Sequence, residues 1–241
     1  MERVMSELAN FLVRREHEVL VVLMYKAEHF FTLDKKVKII EPRISKTSNL
    51  LYAFYLFPYI RKTIKNFRPD SILSFGERYN SYVLLSSLGL KAPVFISDRS
   101  SPKKALSNFN IVLSKLLYPN AKGIICQTKS SGAVLNSRLG KKTPSIKIIP
   151  NPLRKLEFGD SIPKEDLIIA VGRIVIEKRY DRLLDIYQKI NNRDWKLLIV
   201  GDGPLKNELL TDIRNRNLES EVILQGNTKD VDHFYQKSKI Y

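Results

Sequence analysis

Chemistry is most concentrated in the segment AVGRIVIEKRYD, Ala170 to Asp181, where an apolar run ends on Gly172 and is followed by the cations Arg173, Lys178 and Arg179. The pattern predicts a strand ending at Gly172, a short loop, and a helix starting near Glu177. A helix N-terminus carries partial positive charge, so Lys178 and Arg179 in a first turn are electrostatically misplaced for stability. They are well placed for an anion. Free first-turn amides with Arg173 and Lys178 suit a diphosphate, whose charge they can neutralise while it departs as a leaving group. The alternative is a solvated basic loop in which Glu177 alone answers the helix dipole.

A second segment, LLIVGDGPL from Leu197 to Leu205, again runs from strand into a glycine turn and a helix. Gly201 and Gly203 let backbone approach a ligand closely, and Pro204 suits a first helical position. A tight strand-to-helix connection needs the same residues with no ligand, and no G-x-G-x-x-G is present. His17 joins a helix to a strand as a capping residue, and His29 and His233 have no partners at metal-ligand spacing. No metal site is assigned.

These segments need elements to hold them. Short β-branched runs predict strands at 19–23, 37–40, 71–75, 94–97, 123–128, 146–149, 167–171, 197–200 and 222–224. Helical patterns lie between most of them, the clearest being Tyr180, Leu183, Leu184, Tyr187 and Ile190. Such alternation predicts α/β architecture with buried parallel sheets. Two domains are expected, 1–150 and 164–241, joined by a linker over 151–163. The first opens on a helix with Val4, Leu8, Phe11 and Leu12 on one face. The second has three strands, the start of another at Ile240-Tyr241, an open sheet edge, and incompletely covered apolar faces along 183–190 and 209–213. The stretch LLYAFYLFPYIRKTIKNFR from Leu50 mixes aromatics with cations; core burial of its aromatic face is favoured over a bilayer-surface role, with Pro58 dividing the helix.

The 241 residues, with 44% hydrophobic and 27% charged side chains, support a sizeable core and exclude a disordered or disulfide-stapled chain. A single cysteine, Cys126, fits a reducing cytoplasm. No signal-peptide pattern opens the sequence, and no window is apolar enough to span a bilayer. The net charge of +16 is uneven: residues 1–150 hold 25 Lys and Arg against 10 Asp and Glu, residues 151–241 hold 16 against 15. A charge of +15 on the first part seeks a polyanion, whether nucleic acid, an anionic membrane surface or a phosphorylated substrate.

In combination, VGRIVIEKRYDRLL, WKLLIVGDGPLKNEL and VILQGNTKDVDHFYQKSKI resemble the C-terminal nucleotide-sugar domain of family 4 glycosyltransferases with the GT-B fold. Earlier segments agree in order and spacing: MERVMSELANFLVRREHEV, FISDRSSP, CQTKSS and IIPNPL. The resemblance covers essentially the whole chain and is closest to bacterial hexosyltransferases and N-acetylhexosaminyltransferases of capsule, lipopolysaccharide and lipid-linked glycan assembly. It implies two doubly wound Rossmann-like domains, the second incomplete.

By this resemblance Arg173 and Lys178 match the pair that binds the donor diphosphate, and Gly172 the loop glycine that gives the phosphates room. Gly201, Asp202 and Gly203 match the turn lining the donor cleft, with Gly226 near the nucleobase. Asp98 and Arg99 occupy the catalytic loop facing acceptor and donor sugar, where relatives often carry a histidine. The family also has a strand and glycine-rich loop before the position of Glu2, and two glutamates eight positions apart shortly after that of Tyr241; a chain shortened at both ends and impaired in activity is the expectation. The implied function is retaining transfer of a hexose or N-acetylhexosamine from a uridine-diphosphate sugar to a lipid-linked glycan, without a cofactor, by a cytoplasmic protein peripheral to an anionic membrane. The rival is a non-catalytic basic nucleic-acid-binding protein, disfavoured by the absence of a reader motif and by aromatics at core periodicity.

Overall fold

A computed structural model describes residues 2–26, 31–43, 49–99, 107–152, 162–190, 194–228 and 230–241. His29 and most of the expected linker, 153–161, lie outside these residues. Two units divide the chain, Met1–Leu153 and Arg154–Tyr241.

In the first unit, β1 (Leu20–Val22) pairs in parallel with β2 (Lys38–Ile40), and a second parallel sheet runs in the order β3 (Ile72–Phe75), β4 (Val94–Asp98), β5 (Gly123–Cys126) and β6 (Ile146–Ile148). Five helices connect them: α1 (Glu2–Arg14), α2 (Asn49–Phe67), α3 (Glu77–Ser87), α4 (Asn108–Leu117) and α5 (Lys129–Leu139). Because β3 to β6 follow one another side by side and such crossovers are right-handed, α3, α4 and α5 share one face of the sheet. One core joins Tyr52, Leu56 and Ile60 of α2, Val83 and Leu84 of α3, Ile96 of β4 and Leu135 of α5.

Two local expectations are corrected here. Pro58 does not divide α2, which runs unbroken over 19 residues. Pro58 lies on the exposed side beside Phe54, where the backbone groups it leaves unbonded can be hydrated, while buried Tyr52, Leu56 and Ile60 anchor both halves. On α1 the buried residues are Val4, Ala9 and Val13; Phe11 is 46% exposed, with the Arg15 guanidinium 5.3 Å above its ring. The helix is closed by Glu16 in the left-handed region (φ 65°), whose N–H donates to Val13 O, and by the His17 N–H donating to Leu12 O at 3.1 Å. His17 thus caps through its backbone.

The second unit has four parallel strands in the order β10 (Ser238–Ile240), β7 (Glu165–Val171), β8 (Lys196–Val200), β9 (Val222–Gly226). Leu197 to Val200 are all buried, as the uninterrupted apolar run of a central parallel strand requires. On one face α6 (Tyr180–Tyr187) and α7 (Lys206–Asn215) bury Leu184, Tyr187, Leu209 and Ile213 against Leu197 and Ile199. On the other, α8 (Val231–Lys237) sets Val231, Phe234 and Tyr235 over Leu167, Ile169, Leu198 and Val200. The step from β9 back to β10 reverses the direction of travel across the sheet, so a right-handed crossover carries α8 over the opposite face. β10 extends the sheet beyond β7 where the start of a strand was expected at Ile240-Tyr241, leaving β10 and β9 as its edges; the expectation of uncovered faces along 183–190 and 209–213 is corrected, since α6 and α7 seat Leu184, Tyr187, Leu209 and Ile213 in the core.

Candidate functional site

In open parallel sheets a crevice forms at the carboxyl ends of the strands where their order reverses. In the second unit that point lies between β7 and β10, and the segment leaving β7 there is Gly172 to Arg179. Its backbone is fixed by neighbouring loops. Gly172 N–H donates to Val200 O at 3.0 Å, Ile174 N–H to Asp202 O at 2.9 Å, and Gly201 N–H to Gly226 O at 2.9 Å. The Tyr180 hydroxyl donates to Gly172 O at 2.9 Å. Ile174, 1% exposed, plugs the core beneath.

This docking explains the two glycines of the second segment. A Cβ on Gly201 would stand 2.0 Å from Gly172 O, and one on Gly203 2.3 Å from Ile174 O. The backbone they admit belongs to another loop, so their presence needs no ligand. Asp202 serves the same turn: one carboxylate oxygen accepts from Gly203 N–H at 2.7 Å and the other from Lys206 Nζ at 3.2 Å. The Gly203 amide, then Lys206, hold its carboxyl below the usual range. Pro204 stands in a turn closed by Lys206 N–H on Gly203 O, two residues ahead of α7, and does not open that helix.

The first segment is also corrected in shape. No α-helix starts at Glu177; a 3-10 turn spans Ile176–Lys178, Arg179 adopts the left-handed region (φ 53°, ψ 46°), and α6 begins at Tyr180. Arg179 is consequently the residue that flanks the helix, and its Nη2 pairs with Asp181 at 2.7 Å. That guanidinium pulls the Asp181 carboxyl down to about 2. The other two cations differ. Arg173 and Lys178 are exposed and have no ion pair or side-chain hydrogen bond among the described residues. Lys178 lies along Gly172, where an added Cβ would meet its Cε at 3.4 Å, so Gly172 makes room for the lysine stem. The structure thus brings Gly172, Arg173 and Lys178 together on a rigid frame, with Gly201, Asp202, Gly203 and Gly226 forming the frame. Gly226, at φ 76°, has open space on its Cβ side.

The first unit gathers Asp98 and Arg99 at the carboxyl end of its sheet. Asp98 is buried at the end of β4. Arg99 is held by its own unit: Nε donates to Ser97 Oγ at 3.1 Å, Nη1 to Asn151 Oδ1 at 2.7 Å, and the guanidinium sits 5.1 Å above the Phe75 ring. Burial lowers its pKa. Gln127 Nε2 donates to the same Asn151 oxygen at 2.6 Å. Beneath lie buried Ser74, Asn80 and Tyr118, with Ser74 Oγ donating to Asn80 Oδ1 at 2.8 Å. Burial, then the Asp98 charge, raise the Tyr118 phenol and push the Cys126 thiol up to about 11. Gln127 and Asn151 were not among the expected site residues, although both lie in segments that carry the resemblance.

Among the described residues no cluster of three or more potential metal ligands occurs, and no helix is long and apolar enough to cross a membrane.

Solved structures with the same α/β fold include two glycan-related proteins. The Anabaena protein Alr3699/HepE in complex with UDP and glucose superposes with a TM-score of 0.78 over 98% of this chain and 68% of its own, at 16% identity. The lipopolysaccharide outer core galactosyltransferase WaaB gives 0.66 over 98% and 66%, at 15% identity. At these identities the likeness concerns the GT-B fold. Residues 1–154 match the family described as Glycosyltransferase Family 4, and 155–241 match Glycosyl transferases group 1. The amylovoran biosynthesis glycosyltransferase AmsD of Erwinia amylovora is 31% identical over 99% of this chain and 68% of its own length. An α-1,4-N-acetyl-D-galactosaminyltransferase of Campylobacter jejuni, named for a PP-undecaprenol glycan, is 27% identical over 99% and 67%. The chain spans about two thirds of each relative. It belongs to glycosyltransferase family 4.

Proposed function

We propose that the protein transfers a hexose or N-acetylhexosamine from a uridine-diphosphate sugar to a lipid-linked glycan in bacterial surface polysaccharide synthesis, with retention at the anomeric carbon. The observation that carries this reading is the pair Arg173 and Lys178, two exposed cations without partners among the described residues, held at the carboxyl end of β7 in a member of family 4. A departing diphosphate is where such charge acts, because it stabilises the negative charge that develops on the leaving group. On this reading Arg173 and Lys178 supply that stabilisation with no cofactor needed.

Gly226 closes the donor side near the base, while Asp98 and Arg99 serve the acceptor side. The relative named for a PP-undecaprenol glycan supports an acceptor carried on a membrane lipid and a protein peripheral to that membrane, and the single cysteine favours its cytoplasmic side. Titration calorimetry with UDP is the test. Wild type should bind and Arg173→Ala should bind about 10- to 100-fold more weakly, with both melting alike; equal affinities would remove the site.

A further inference from the structure

We propose that Gln127 and Asn151, at the carboxyl end of the first unit's sheet, form an amide pair that reads one hydroxyl of the acceptor sugar. The inference deepens the reading of this unit as the acceptor side and rests on it.

Three adjacent parallel strands end in register here, Asp98 of β4 opposite Cys126 of β5, and Cys126 opposite Ile148 of β6. Arg99 and Gln127 are the next residues of their strands, and Asn151 follows shortly after Ile148. The backbone is fixed at both amides. Ile149 N–H donates to Cys126 O at 2.8 Å, and Asn151 stands between Pro150 and Pro152, the second of which confines it to extended conformations. Gln127 precedes Thr128, the N-cap of α5, where Thr128 Oγ1 accepts from Ser131 N–H at 3.1 Å and Ser131 Oγ accepts from Thr128 N–H at 3.2 Å. Two amide side chains are thus carried on rigid supports, which precise recognition requires.

Hydrogen bonds set which way each amide faces. Asn151 Oδ1 accepts from Arg99 Nη1 at 2.7 Å and from Gln127 Nε2 at 2.6 Å, so the Asn151 nitrogen faces away from both donors. Gln127 has committed its nitrogen and keeps its oxygen. Asn151 Nδ2 and Gln127 Oε1 have no partner among the described residues. Asn151 is exposed and Gln127 half-buried, so both atoms are within reach of a ligand. Were Asn151 only a tether for Arg99, aspartate would serve better, because a carboxylate attracts a guanidinium more strongly than an amide does. What asparagine has and aspartate lacks is an N–H donor left over.

The pair selects its ligand by charge. Gln127 Oε1 opposes an anion, and Asn151 Nδ2 opposes a cation. A hydroxyl satisfies both through one atom, accepting from the nitrogen and donating to the oxygen. An amide does not titrate near neutral pH and takes no proton from its ligand. The hydroxyl held here is therefore not the attacking one; it orients the sugar that carries it.

The full chain is titrated with the methyl α-glycosides of galactose, glucose, N-acetylgalactosamine and N-acetylglucosamine by saturation-transfer difference NMR, and with UDP by calorimetry. At least one glycoside should bind wild type. Asn151→Asp keeps an oxygen for Arg99 and Gln127 but loses the outward donor. It should melt no lower than wild type, hold UDP equally, and bind that glycoside about fivefold more weakly, the loss of one neutral hydrogen bond. Gln127→Met should weaken the glycoside by a similar factor, and it carries the test alone should Asn151→Asp fail to fold. Among the monodeoxy forms of that glycoside, one should bind wild type and Asn151→Asp alike, because it lacks the hydroxyl that the pair reads. A purely structural role predicts undiminished glycoside binding by Asn151→Asp with a higher melting temperature, and that result overturns the proposal. So does a wild type that binds UDP and none of the four glycosides, which leaves the donor site standing. Glycoside binding that depends on Asn151 in a protein that does not hold UDP sustains the pair and removes the diphosphate site. If neither ligand binds, both fall.

Discussion

The carboxyl ends of the two sheets treat an arginine in opposite ways. In the first unit Arg99 is spent internally on Ser97, Asn151 and the Phe75 ring, and sits half-buried. In the second, Arg173 projects from a loop anchored through its neighbours Gly172 and Ile174, so its backbone is rigid and its side chain is free. One arrangement uses a cation to hold the protein together; the other keeps a cation available. The difference teaches where to look for ligand electrostatics, because a guanidinium already satisfied by neutral partners has less to offer an incoming anion.

The largest expected effect breaks the frame under Arg173. Gly201→Ala sets a Cβ 2.0 Å from Gly172 O, backbone against backbone, where no side chain can swing aside. We expect a loss of about 3 kcal/mol or more, a fall in Tm of roughly 6–12 °C, and loss of UDP binding. In the first unit Gly89→Ala has open space around it and only φ +74° to contend with. Its cost should be about 1 kcal/mol, with UDP affinity unchanged. Equal losses would show that backbone conformation, and not the docking of two loops, governs both.

Next in size is a crossed pair of arginine variants read by melting and by calorimetry together. Arg173→Ala should leave Tm in place and weaken UDP binding about 10- to 100-fold, the range of a charge-assisted hydrogen bond. Arg99→Ala should do the reverse in stability, costing about 1–2 kcal/mol through its hydrogen bonds and its seat on Phe75, with UDP affinity retained. A stability loss in Arg173→Ala would mean that its side chain serves the frame, and the contrast between the units would fail.

How far these roles could be read from sequence depends on whether they are local. Every strand expected from β-branched runs is present, because a fully buried parallel strand such as Leu197 to Val200 leaves an uninterrupted apolar signature. The basic loop after Val171 was also legible, since Arg173 and Lys178 are conspicuous by charge. What escaped was set by tertiary contact. Gly201 and Gly203 read equally as room for a ligand or as a tight connection, and only the fold shows that they admit the Gly172 to Ile174 backbone. Pro58 reads locally as a helix breaker, yet Tyr52, Leu56 and Ile60 fix the helix on both sides of it. The left-handed Arg179 carries no signature, because that conformation is usually announced by Gly or Asn. Asn151 reads from sequence as the first residue of the linker, and only the fold brings Gln127 and Arg99 to its side chain.

The smallest effect belongs to the third cation of the basic loop, and it tests whether Arg179 resembles Arg99 or Arg173. Its guanidinium is exposed and paired with Asp181, so two opposed terms meet at one residue. Arg179→Gly removes the ion pair but also relieves the strain of a side chain at φ 53°. We expect the melting temperature to stay level or rise slightly, whereas Arg179→Ala, which keeps the strain and loses the pair, should melt lower than either. The pH dependence follows from the Asp181 carboxyl, pulled down to about 2 chiefly by Arg179. A carboxylate depressed on folding contributes stability above its ordinary range and loses it as pH falls through its folded value. Between pH 5 and 8 it stays ionised, so wild type and Asp181→Asn should show parallel melting profiles there and converge only in acid. Should Asp181→Asn instead bind UDP more tightly at neutral pH, the freed Arg179 would be reaching the phosphates, and the loop would present three cations to its ligand in place of two.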